Sequence, residues 1–128
     1  MHQLNEDAIP HLARAMIFRR SMADHAPGKH MIELRNQVII SPVEPNDMAD
    51  AKSRARKIMS SRPSDMPADP DDLSLLIDTI AMRYGLTSRG EAWRKIGINP
   101  NRGRNLFSRG QNAIDWPIWF TARAYAMG

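Results

Sequence analysis

Leu86 to Gly110 reads LTSRGEAWRKIGINPNRGRNLFSRG, and its punctuation decides how the chain folds. Thr87 or Ser88 stands where a helix N-cap belongs, and Glu91, three residues after Ser88, completes a capping-box pattern. Gly97 ends that helix. Asn99 followed by Pro100 is a cap with proline at the first helical position, so another helix starts two residues after the glycine. The spacing predicts two short helices crossing at a tight turn, the second ending near Gly110.

On the N-terminal side of this stretch, Leu73, Leu76, Ile77, Ile80 and Tyr84 form a helical stripe after an acidic start, with Gly85 where a left-handed cap belongs. On the C-terminal side, Asp115 caps WPIWFTARAYAM, a helix whose proline falls in its permissive first turn. That last helix is apolar almost all round, a pattern of burial on more than one side. Every aromatic residue except Phe18 lies beyond residue 83, so residues 73–128 hold the mass from which a core is built.

Residues 63–72 (PSDMPADPDD) combine three prolines with Asp65, Asp69, Asp71 and Asp72 and read as an extended linker. Residues 1–62 form an appendage. Leu12, Met16 and their neighbours pattern a helix from Pro10 to Met22, closed by Ala26-Pro27-Gly28. Met31 to Val43 (MIELRNQVIISPV) is the one β-like run, because Val38-Ile39-Ile40 is β-branched and Ser41-Pro42 ends it. It predicts a short strand or hairpin. Asn46 then caps a helix with Met48, Ala51, Ala55, Ile58 and Met59 on one face and Lys52, Arg54, Arg56 and Lys57 on the other. The expected fold is mainly α: a four-helix C-terminal domain over 73–128 and a small α+β N-terminal appendage.

Composition narrows the function classes. The 128 residues contain no cysteine, which excludes disulfides and thiolate metal sites. No apolar run approaches the roughly 18 residues of a membrane span, and MHQLNEDAIP lacks a signal-peptide pattern, so a cytoplasmic protein is expected. His2, His11, His25 and His30 lack the close spacing of metal ligands. Neither a nucleophile turn nor a glycine-rich phosphate loop is present. The expectation is a non-enzyme without cofactor or metal. Net charge is +4, but residues 85–128 carry seven bases against Glu91 and Asp115, a basic balance that fits a polyanion partner.

The turn EAWRKIGINP, with Gly97-Ile98-Asn99 flanked by Ile96, resembles the lambda repressor and Cro family of helix-turn-helix domains, over residues 73 to about 125. Trp93 stands where the family has alanine, and Gly103 where it has an aliphatic residue on the inner face of the recognition helix. These positions face each other in the family, so the resemblance implies a compensated swap that conserves core volume. It also implies double-stranded DNA as partner, read in the major groove by helix 100–109. With Leu106 and Phe107 turned inward, Asn101, Arg102, Arg104, Asn105 and Arg109 face outward. Asn and Arg carry the paired groups that match adenine and guanine edges. Thr87, Arg89 and Asn99 at the helix starts add phosphate contacts.

The implied role is a transcriptional regulator, specifically a repressor, acting on DNA as a homodimer through Trp116, Trp119, Phe120 and Tyr125. The other side of the last helix is met either by that second subunit or by the N-terminal piece. Two other readings of the same residues stay open: a protein-interaction module, with a protein partner on residues 1–62, and an architectural or replication accessory DNA binder.

Overall fold

The computed structural model describes residues 4–23, 31–62, 69–108 and 115–128, with the side chains at 107 and 108 left aside. A single 3-10 turn, Glu6–Ala8, leads into α1 (Ile9–Ala23), followed by α2 (Met31–Ile40), α3 (Pro45–Ser60), α4 (Pro70–Arg83), α5 (Arg89–Lys95), α6 (Pro100–Ser108) and α7 (Trp116–Met127). The mainly helical expectation stands. Among the described residues there is no strand.

That is a correction for Met31 to Val43, read as β. A lone strand leaves its backbone N–H and C=O groups without partners, whereas a helix satisfies them internally. The chain offers only this one β-like run, so helix wins. Met, Glu, Leu, Arg and Gln in its first two turns favour helix, with Ile32 the one β-branched residue there and Val38, Ile39 and Ile40 gathered at the end. Val38 is buried, Ile40 is 82% exposed, and the Ser41 hydroxyl closes the helix by donating to Gln37 O at 2.6 Å. The expected cap of α3 also shifts. Pro45 is the first helical residue and Glu44 is the N-cap, without a side-chain bond. The helix breaker at Ala26-Pro27-Gly28 lies outside the described residues.

The acidic stretch 63–72 reaches into α4. Residues 63–68 lie outside the described residues, but Asp69 is an N-cap whose Oδ1 accepts from Asp71 N–H at 2.9 Å, and Pro70, Asp71 and Asp72 make the first turn. Acids there complement the positive end of the helix.

From Asp72 to Met82 every residue of α4 is buried. The sequence shows an amphipathic stripe; the structure sheathes α4 on all sides, with α1, α7 and α5 packed against it. Ile9, Leu12 and Ala13 of α1 join Leu73, Leu76, Ile77 and Ile80 of α4 and Trp119 and Ala122 of α7 in one buried cluster. α3 lies against α1 and contributes Ala51, Ala55 and Ile58.

Two carboxylates inside this sheath are paired. Asp78 takes Arg19 from α1 at 3.2 Å and a two-point bond from Arg89 of α5, Nε at 2.7 Å and Nη2 at 3.0 Å. Asp72, 1% exposed, faces the Arg54 guanidinium, with Lys57 Nζ at 3.8 Å. Removal from water costs a buried ion pair about as much as its attraction returns. For Asp72 burial is the larger effect and pushes its carboxyl above the ordinary range, Arg54 opposing.

A raised folded-state value means that the native state holds this proton more tightly than the unfolded chain. The resulting stability is present below the unfolded value of about 4 and is lost as pH rises through the folded one. Urea denaturation between about pH 3 and pH 7 should therefore show the wild type losing ground to Asp72→Asn as pH rises. A gap that moves in the wild type's favour would mean that the Arg54 pairing outweighs burial.

Candidate nucleic-acid interface

The turns around α5 are built from local chemistry. Gly85 has φ of 66° and Gly97 of 83°, the left-handed region that side chains avoid. Each glycine ends a helix in a Schellman motif. Leu86 N–H reaches Ala81 O at 2.8 Å after α4, and Ile98 N–H reaches Trp93 O at 2.9 Å after α5. Ser88 caps α5 by accepting from Glu91 N–H at 3.2 Å. Asn99 caps α6 by accepting from Asn101 N–H at 2.9 Å, with Pro100 at the first helical position.

α5 and α6 meet through Trp93 and Gly103. Trp93 is 1% exposed, and a Cβ built on Gly103 would lie 2.6 Å from its Nε1 and closer still to Cδ2 and Cε2. The two positions face each other, as the resemblance implies, and the indole occupies the volume a side chain at 103 would take. Leu106 is buried on the same side of α6.

Asn101, Arg102, Arg104 and Asn105 are exposed on the remainder of α6. Their availability differs. Arg104 donates to Asn101 Oδ1 one turn back, which occupies the acceptor that Asn101 would need to grip an adenine edge at two points. Arg102 lies 3.7 Å from Asp115, with both side chains substantially exposed, a pair worth well under 1 kcal/mol. Arg109 lies outside the described residues, as does the Phe107 side chain.

The helix-start residues divide. Asn99 is exposed and capping. Arg89, expected on phosphate, is held by Asp78 instead, and this hydrogen bond is the main cause that raises its pKa. Thr87 is also engaged. Its N–H and hydroxyl both donate to Glu91 Oε2, at 2.7 and 3.0 Å, and these bonds hold the Glu91 carboxyl below its usual range. An ionised carboxylate there disfavours a phosphate at the start of α5. Arg94 and Lys95, which the sequence reading passed over, are exposed in its last turn, with Lys95 Nζ 4.4 Å from the Tyr84 ring.

The four residues expected at a dimer interface do not form one patch. Trp119 is wholly buried within the chain and has no surface to offer. Trp116 is half-buried, with Phe120 beside it at 5.5 Å between ring centres. Tyr125 pairs edge-on with Tyr84 at 6.4 Å. The N-terminal half reaches α7 as well: Arg123 donates to the carbonyls of Ile58, Met59 and Ser61 at 3.2–3.3 Å, closing the end of α3, and Asn5 N–H reaches Met127 O at 3.1 Å.

Among the described residues, no group of three or more histidine, aspartate or glutamate side chains is placed to hold a metal ion, and no helix is long and apolar enough to cross a membrane. Comparison with family models, with curated proteins and with solved structures finds no match to this chain.

Gly103→Ala tests the α5–α6 contact, because two effects compete. Helix propensity favours alanine by about 1 kcal/mol, and overpacking against a rigid indole costs about 1–3 kcal/mol. The variant should lose up to about 2 kcal/mol in chemical denaturation, and it should cost less in a Trp93→Leu background than in the wild type. Stabilisation by Gly103→Ala alone would show that the indole does not seat there.

Proposed function

We propose that this chain binds duplex DNA through α6 as a transcriptional regulator, acting as a repressor by obstructing a promoter. The observation that carries the reading is the division of α6 into an inner side, Gly103 and Leu106, and an exposed side of two asparagines and two arginines. A short helix held on its scaffold by a close-packed partner suits insertion into a major groove, and its exposed residue types are those that grip adenine and guanine edges. The resemblance of the Gly97-Ile98-Asn99 turn to lambda repressor and Cro helix-turn-helix domains supports the same reading from sequence.

Within it, Arg104 and Asn105 read bases. Arg102, Arg94 and Lys95 supply salt-sensitive phosphate affinity, and Arg89 holds α5 to α4 rather than touching DNA. Asn101 joins the base contacts once Arg104 swings away to the groove. A homodimer reads two half-sites, with Phe120 and Trp116 as the apolar surface joining the subunits.

Selection of duplexes from a genomic-fragment pool by the full chain tests this directly. A preferred site should emerge, with a log-log salt slope of about −2.7 per protomer for these three phosphate contacts. Arg104→Ala or Asn105→Ala should weaken that site by about 1–3 kcal/mol, roughly fivefold to more than a hundredfold, with helix content unchanged. Retention of the same footprint by both variants, or no retardation of any duplex at low salt, would contradict the proposal.

A further inference from the structure

On the face of α4 away from α7, α1, α2 and the start of α5 enclose an open cleft of about 590 Å³. Its size is that of a small-molecule site. Phe18 and Met22 of α1 and Met31 and Ile32 of α2 form apolar walls, and Ile32 is 64% exposed, a costly position for a large aliphatic side chain. Methionine is flexible and polarisable and adapts to occupants of differing shape.

Arg35 also lines the cleft. Only 9% exposed, it has an Nη2 that finds no hydrogen-bond partner among the described residues. A buried nitrogen left so carries a desolvation cost without a hydrogen bond in return, and burial pushes the Arg35 pKa down despite the pull of Asp78 and Glu91.

Neither of those carboxylates is at liberty to close the gap. Asp78 is engaged by Arg19 and Arg89, and Glu91 by Thr87. Arg35 Nη2 is thus left without a hydrogen bond among the described residues, beside an apolar wall.

We propose that the cleft binds a monocarboxylate with an apolar body: the carboxylate pairs with Arg35, and the hydrocarbon lies against Phe18, Met22, Met31 and Ile32. Guanidinium and carboxylate are geometrically matched for two parallel hydrogen bonds, and a carboxylate oxygen would supply the acceptor that Arg35 Nη2 lacks. Such a ligand bridges α2 to Ser88 and Arg89, where α5 begins. The proposal stands whether or not α6 binds DNA.

Calorimetric titration of the full chain at neutral pH with octanoate, and with 1-octanol as its uncharged counterpart, tests it. Octanoate should saturate one site at least tenfold more tightly than octanol. Arg35→Met should remove that preference. Ile32→Glu, at an exposed position where the fold is undisturbed, should weaken octanoate at least tenfold by setting a like charge at the mouth; this arm decides the matter should Arg35→Met fail to fold. Equal affinity for octanoate and octanol, unchanged octanoate binding in either folded variant, or no saturation into the millimolar range would overturn the proposal.

Discussion

The burial of α4 on every side is the constraint from which the rest of the structure follows. Eleven consecutive residues, Asp72 to Met82, lie out of water, so three neighbours must cover the helix at once. α1 takes one side, α7 another, and α5 packs near its C-terminal end. A helix enclosed in this way cannot keep an unpaired charge, and Asp78 carries two arginines, Arg19 from α1 before it in the chain and Arg89 from α5 after it. One carboxylate thus ties the N-terminal helices and the start of α5 to the same turn of α4. Arg123 makes a comparable link by capping α3 from α7.

This anchoring is what presents α6. Glycine turns with closing hydrogen bonds set the directions of α5 and α6, the Arg89–Asp78 pair holds α5 down, and Trp93 fills the space that Gly103 leaves open. With its inner side occupied by those contacts, α6 keeps Asn101, Arg102, Arg104 and Asn105 exposed. The same arrangement makes the Arg35 cleft a boundary between α2 and α5, so occupancy there would bear on the position of the helix pair.

Features that depend on local chemistry were legible in the sequence. Ser88, Asn99 and Pro100 start helices, and Gly85 and Gly97 end them, because caps and left-handed turns need particular residues whatever surrounds them. The facing of Trp93 and Gly103 was expected from the resemblance to lambda repressor and Cro domains, and their complementary sizes fit it. Features that depend on distant partners were not. Val38-Ile39-Ile40 has a β propensity that yields to helix once no second strand exists to pair with it. The stripe on α4 gave no warning that α1 would cover its polar side, since Asp72, Ser74 and Asp78 look solvent-facing until their arginines are placed. Arg89 reads as a phosphate ligand for the same reason, and Trp119 as an interface residue because an all-round apolar helix does not say which face its own chain covers.

If α4 is held by both halves of the chain together, its amides and those of α1 should open in one event. Native-state hydrogen exchange measures this residue by residue. The slowest amides of α1 and of α4 should share one opening free energy, to within about 1 kcal/mol, equal to the global unfolding value. Exchange of α1 at a much lower free energy, with α4 still protected, would show that the N-terminal helices leave without disturbing the core, and would contradict the joint opening.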